Sequence, residues 1–414
     1  MQNQNHRHVQ GLKVLFFSTY ASPESGASHA LLHTIKRVQT VGIKPLVVIP
    51  DSADGRAMFP ESEFEVLYLD LLRPRRTWNP LIQARYGLSF PVTLSSLRRI
   101  IRQRNVDLVH FNEITDVIAG MAAKSCGVPS VCNVRSDCPP NPYRMALLSA
   151  LRATTDAIVV PSKSTTAWIT AVAADLSARI RLVYDYAFDV TDYLSPHPDP
   201  AFRQELGIPR DEVLVVLVSK LVTPKGHLCF IRAAEKVLKQ SKGVHFVIVG
   251  GTVPGREADA SAIRTLGEML TPAPGLRFMG PRSDLPSIYA ACDIAVHCPV
   301  FPDTYPTVVL LPMLAGKAVI GSNIGGVPEQ IEHNRTGILV PPDDAEALAQ
   351  AIMSLVRDPA GRTCLGSAAM STIKSGLEPE TQGRILADLY EEVMNANRRP
   401  ADGGNSVKDH LFAS

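Results

Sequence analysis

The chain has 414 residues, of which 45% are hydrophobic and 20% charged, a globular balance that excludes collagen, coiled coil and whole-chain disorder. A formal net charge of +2 and an aromatic content of 6% argue against a nucleic-acid-binding protein, and no apolar run of about 18 residues could span a bilayer. The length predicts two or three domains. The polar start at residues 1–10 lacks the apolar core of a secretory signal and is expected to be disordered. The seven cysteines include no Cys-x-x-Cys and read as reduced thiols of a cytoplasmic protein.

Residues 11–190 carry short apolar runs, each followed by a helix-length segment. The runs are KVLFFS (13–18), PLVVIP (45–50), DLVHF (107–111), SVCNV (130–134) and AIVVP (157–161). Nearly every position is apolar, the pattern of strands buried on both faces, so a parallel sheet is predicted. The alternation of strand and helix gives α/β layering. Between the second and third runs lies a basic region, 73–104, with Arg73, Arg75, Arg76, Arg85, Arg98, Arg99, Arg102 and Arg104 and no acid. It is either a solvated basic face or a surface for an anionic membrane or acceptor. Residues 1–190 hold 21 Lys and Arg against 15 Asp and Glu, net +6, while the remainder is net −4.

Residues 191–205 are proline-rich and read as a linker. The pattern then restarts over residues 206–378. VLVVLVS (213–219), VHFVIVG (244–250), LRFMG (276–280), DIAVHC (293–298), KAVIGS (317–322) and GILV (337–340) predict a second parallel sheet. Asp343 with Glu346 resembles a capping box and predicts a helix near 345–355. A long helix over 379–398 is expected to cross back to the first domain, and 399–414 to be disordered. The predicted architecture is therefore two facing Rossmann-like domains. Ligands bind beyond the carboxyl ends of parallel strands, so the expected site is the cleft between them.

The chemistry concentrates in three segments of the second half. In SKLVTPKG (219–226), Lys220 and Lys225 follow a strong strand and precede a helix. Two ammonium groups and a helix N-terminus suit a diphosphate, although a turn with two solvated lysines has the same spelling. The others are DTYPTVVLLPMLAG (303–316) and IGGVPE (324–329). There is no P-loop, Gly-x-Ser-x-Gly or His-Glu-x-x-His, and the glycine turn at Gly250 and Gly251 is not the dinucleotide fingerprint.

In order and spacing these segments resemble the family 4 glycosyltransferases of GT-B fold, over most of residues 213–345. The resemblance implies a retaining transfer of a sugar from a nucleoside-diphosphate sugar to a saccharide or lipid-linked acceptor, as in cell-surface polysaccharide or glycoconjugate synthesis. It makes Lys225 the lysine on the donor diphosphate. Lys220 stands where the family usually has arginine, keeping the charge but losing the bidentate fork. Asp303 takes the place of the first carboxylate of the paired-glutamate motif, next to the transferred sugar, so Lys220, Lys225 and Asp303 are the expected catalytic residues. Tyr305, Pro306, Thr307 and Val308 replace Phe-Gly-x-x, and the amides of Thr307 and Val308 are expected to hold phosphate. Leu311 occupies the place of the second glutamate, which commonly binds the ribose. Gly226, Gly251, Gly280 and Glu329 complete the expected donor side, with Glu329 either structural or bonded to a sugar hydroxyl.

In the first half the resemblance rests on topology, a Gly26 loop after the first strand, and His110 at a strand end. His110 is either a core histidine or a ligand contact. Arg135 stands where many members carry a histidine, and is expected to meet an anionic acceptor or donor sugar. The nucleotide-sugar is a substrate, so no cofactor is expected. No Asp-x-Asp occurs, so no metal is expected either, and fixed positive charge would do its work. The chain is expected in the cytoplasm, at the inner face of the membrane if region 73–104 makes peripheral contact. The alternative is a degenerate relative that binds nucleotide or a partner subunit without turnover.

Overall fold

The computed structural model describes residues 10–23, 25–72, 79–136, 142–184, 186, 193, 200–270, 275–376 and 379–398. The expectations for residues 1–9 and 399–414, for Arg73, Arg75 and Arg76, and for most of the linker lie outside these residues.

The first half is a seven-stranded parallel sheet. Its strands are β1 (Lys13–Phe17), β2 (Lys44–Pro50), β3 (Glu65–Leu69), β4 (Leu108–Phe111), β5 (Ser130–Asn133), β6 (Ala157–Val160) and β7 (Ile180–Leu182), in the order β3-β2-β1-β4-β5-β6-β7. The second half is a six-stranded parallel sheet of β8 (Val213–Val218), β9 (Val244–Val249), β10 (Leu276–Phe278), β11 (Ile294–His297), β12 (Ala318–Ser322) and β13 (Ile338–Val340), in the order β10-β9-β8-β11-β12-β13. Both are doubly wound. The order reverses between β1 and β4 in one half and between β8 and β11 in the other, and each reversal opens a crevice at the strands' carboxyl ends.

Burial follows the pleat. Val215 and Leu217 enter one core cluster of the second half, and Leu214 and Val216 the opposite one. Two strands escaped the sequence pattern. β3 is a half-buried edge strand and β7 has three residues, so neither spells a continuous apolar run.

Two local expectations are corrected, and the third, the returning C-terminal helix, agrees with the structure. The linker region already contains the helix Pro200–Leu206, because Phe202 and Leu206 are buried against the second sheet. Its Arg203 donates to Asp293 and to the carbonyls of Ala291, Pro209 and Glu212. The helix Ala345–Arg357 is capped by Asp344, which accepts from the Glu346 and Ala347 amides; Asp343 is the left-handed residue before it, at φ +56°. The helix Pro379–Arg398 packs on the first half, where Leu386, Leu389, Tyr390 and Val393 share a core with Leu31, Ile35 and Phe16. Among the described residues, no helix is long and apolar enough to cross a membrane.

Candidate active site

The site forms where the loops after β8 and β11 meet, at the crevice of the second half. After β8 the chain makes a 3-10 turn over Thr223–Lys225, then enters the helix His227–Gln240 through Gly226. Gly226 has φ +79°, and a Cβ there would lie 1.7 Å from the Cys298 carbonyl oxygen. Only glycine lets the two loops approach this closely. Gly226 is therefore the joint of the site, which places Lys225 beside the β11 loop.

The consequence is a charged cluster. Lys225 Nζ donates to Asp303 Oδ2, and His297 Nε2, at the end of β11, lies 3.2 Å from the same oxygen. His297 is buried, whereas Lys225 and Asp303 are partly open. Burial by itself would raise the Asp303 carboxyl. The Lys225 ammonium and His297 outweigh it and hold the carboxyl well below the usual range. Lys220 is half-buried, and among the described residues its side chain makes no ion pair or hydrogen bond. His227 lies behind Lys225, and burial lowers it to about 4, so it is neutral.

Next to Asp303, Pro306 caps the helix Thr307–Leu314, so the Thr307 and Val308 amides fall in its first turn. Tyr305 packs on Tyr184 and Tyr186 of the first half, at ring-centroid distances of 5.1 and 6.3 Å. The glycines of the IGGVPE turn seat this loop. Gly325 has φ +62° and faces Asp303 backbone, and a Cβ on Gly326 would meet the Thr304 carbonyl oxygen at 1.8 Å. Of the remaining expected glycines, Gly251 makes ordinary contact with Pro281, and Gly280, at φ +71°, opens on empty space.

Two expected donor contacts have different partners. Leu311 is 4% exposed and belongs to the apolar core. An alkyl side chain at that place goes into the packing and presents nothing to a ribose. Glu329 reaches across to the first half, where Oε2 accepts from the Lys163 amide at 2.8 Å and Oε1 from the Ser164 amide at 2.9 Å. Both oxygens are thus spent on the N-terminus of the helix Lys163–Thr170, whose partial positive charge favours a carboxylate. Thr304 Oγ1 adds a second bridge, donating to the Arg135 carbonyl at 2.9 Å.

In the first half, Gly26 opens the helix Gly26–Thr40 with free space around it. Of the two readings of His110, the structure gives the core histidine rather than the ligand contact. It is fully buried, its Nδ1 lies 2.5 Å from the Tyr390 hydroxyl, and Phe16 stacks at 5.3 Å. Burial, then Arg135, pushes it down to about 3, so it is a neutral core histidine under the C-terminal helix. Of the nearby carboxylates, Glu113 accepts from the Ile114 amide and Asp116 from Thr19.

Arg135 bonds Asn112 Oδ1 at 3.1 Å and Thr34 Oγ1 at 3.4 Å. It lines a cavity of about 20 Å³ together with Arg37, Asn133, Tyr184 and Gln382, room for a single water. Burial lowers both arginines to about 10, so both stay charged. Burial also pushes the Glu113 carboxyl up to about 7.

Residues missed in the sequence are His297, Thr304 and Arg37. For His297 a signal existed, since a polar residue closing an apolar strand points to the crevice. The others depend on contacts between segments far apart in the chain.

Residues 25–185 match the family model described as Glycosyltransferase Family 4, and residues 212–358 that of Glycosyl transferases group 1. The D-inositol 3-phosphate glycosyltransferase of Corynebacterium kroppenstedtii is 30% identical over 213 residues, 50% of this chain and 47% of that protein. The alpha-maltose-1-phosphate synthase of Mycolicibacterium smegmatis is 32% identical over 173 residues, 40% of this chain and 44% of that one. The chain thus matches about half the length of these curated relatives. Among solved structures, Anabaena Alr3699/HepE in complex with UDP and glucose superimposes with a TM-score of 0.77 at 21% identity, covering 92% of this chain and all of that one. Sucrose-phosphate synthase from Thermosynechococcus elongatus reaches 0.76 at 19% identity, covering 93% and 100%. With matches to both halves and the two-sheet GT-B architecture, the chain belongs to the family 4 glycosyltransferases.

Proposed function

We propose that the chain is a retaining glycosyltransferase, taking a sugar from a nucleoside-diphosphate sugar. The observation that carries this is the cluster of Lys225, Asp303 and His297 at the switch point, with the start of the helix Thr307–Leu314 just after it and Lys220 on the same loop as Lys225. Two ammonium groups and helix amides supply fixed positive charge where a leaving diphosphate gathers negative charge. The donor is a UDP-sugar, in keeping with the UDP and glucose bound by the Anabaena neighbour. The bond from the anomeric carbon to the phosphate oxygen breaks, and the acceptor oxygen bonds the same face of that carbon. The acceptor's proton passes to the departing phosphate oxygen, so no protein nucleophile or metal is needed. An arriving diphosphate competes with Asp303 for Lys225 and frees the carboxylate to accept from a sugar hydroxyl.

The acceptor is a saccharide, lipid-linked or phosphorylated, the latter in keeping with relatives named D-inositol 3-phosphate glycosyltransferase and alpha-maltose-1-phosphate synthase. Arg37 and Arg135 give the first half its buried positive charge.

One observation favours a second reading, a nucleotide-binding subunit without turnover: the place of the ribose-binding glutamate is a core leucine. A screen of UDP- and GDP-sugars by thermal shift and slow hydrolysis separates the two. Bound nucleotide raises stability by about 2.7 kcal/mol at a hundredfold excess over Kd. Hydrolysis or transfer supports the enzyme, binding alone supports the subunit, and no binding defeats both.

A further inference from the structure

The helix Pro80–Gln103 carries a surface pattern that the proposed chemistry does not use. Its inner side is packed, with Leu97, Ile100 and Ile101 in the first half's core beside Phe90 and Leu94. Its outer side shows a second apolar strip. Leu81, Leu88 and Val92 are 74%, 76% and 66% exposed. At about 100° per residue these three fall within roughly 40° of one line along the helix. The exposed Arg85 and Arg99 lie on or beside that line.

A helix in water sets its polar side chains on the outer face, so an apolar strip there marks a surface awaiting a partner. The helix contains no Asp or Glu, and neither do the seven residues before it. Toward its C-terminal end, Ser95, Arg98, Arg99, Arg102 and Gln103 line an open groove. Arg104 is taken by Glu65 at 2.8 Å.

Topology places the strip. The helix follows β3, and parallel strands end at the cleft, so Leu81 and Leu88 lie toward the cleft end of the first half. We propose that this strip docks on an anionic lipid bilayer. Leu81, Leu88 and Val92 enter the interface, while Arg85, Arg99 and Arg102 meet the headgroup phosphates. Charge chooses the occupant: a second copy would bring the same basic strip against itself, whereas an acidic bilayer answers both the apolar and the basic groups.

This inference uses no residue of the sugar site, and its test needs no donor. The full chain is sedimented with phosphatidylcholine vesicles, with and without phosphatidylglycerol, at low and high salt. Expected is about tenfold stronger binding to the anionic vesicles, weakened by salt. Leu81→Glu with Leu88→Glu abolishes it, and Arg99→Ala with Arg102→Ala weakens it about fivefold per arginine. Arg210→Glu, exposed on the second half, leaves it intact. Unchanged circular dichroism and melting confirm that the variants are folded, and the arginine pair keeps the test open if the leucine pair is not. No binding to anionic vesicles, equal binding to both vesicles, or full binding by the folded variants would overturn the proposal. So would a dimer that Leu81→Glu and Leu88→Glu dissolve while no vesicle binding is seen.

Discussion

Two carboxyl groups, one in each half, show how differently the two sheets spend charge. Asp303 and Glu113 both follow a central strand at its half's switch point, and both are partly buried. Asp303 meets the Lys225 ammonium and is held ionised, well below its ordinary range. Glu113 has amide and hydroxyl partners and a neighbouring Asp116, and burial pushes it up to about 7. The second half keeps charge ready at its rim. The first half keeps His110 neutral and Glu113 readily protonated beneath its surface, beside the charged Arg37 and Arg135. The sheets have the same winding, so the difference comes from what closes the crevice: a glycine joint that brings lysine to aspartate in one, the C-terminal helix in the other.

The largest effect that would break this contrast is on turnover. Lys225→Ala should lower donor hydrolysis or transfer by about a hundredfold to a thousandfold, measured as kcat/KM. Loss of equal size in Gly26→Ala would move the chemistry to the other half. Next is Leu311→Glu, which puts a carboxylate into apolar packing and should cost about 3 kcal/mol in thermal unfolding. Tighter nucleotide binding with unchanged melting would instead place position 311 on a ribose.

Glu113→Gln sharpens the comparison through pH. The unfolded carboxyl ionises above its ordinary 4.5, while the folded one stays protonated until about 7. In that window the unfolded state binds fewer protons, so native stability falls as pH rises and levels off above 7. The variant lacks this loss. Its advantage should grow by on the order of 2–3 kcal/mol between pH 5 and pH 8 in urea melts. A difference independent of pH would mean that Glu113 is ionised throughout. The smallest effect is expected from Glu329→Gln, which weakens two charge-assisted bonds between the halves by about 1 kcal/mol. Faster hydrogen exchange at the Lys163 and Ser164 amides would report it, and unchanged protection would contradict the bridge.

Strands buried on both faces announce themselves as apolar runs, which is why eleven of the thirteen were legible from residue type alone. The resemblance to the family pattern singled out Lys225 and Asp303, which the structure joins in one ion pair, and Thr307, which opens a helix. Position 311 misled: its number matched a motif, but leucine's chemistry sends it to the core. Glu329 and His110 each read as structural or ligand-binding, and residue type alone did not decide between the two. Their partners, the Lys163 and Ser164 amides and Tyr390, lie 165 or more residues away in the chain, and only packing brings them together.

The central claim is that Lys225 and Lys220 hold a diphosphate beside Asp303. Calorimetric titration of UDP against uridine, on the native chain and on Lys220→Ala, Lys225→Ala and Asp303→Asn, tests it most directly. Each lysine removed should weaken UDP binding at least about tenfold and leave uridine unchanged. Asp303→Asn, which releases Lys225 from its ion pair, should bind UDP as tightly as the native chain or more so. Equal UDP affinity in all four proteins would contradict the account.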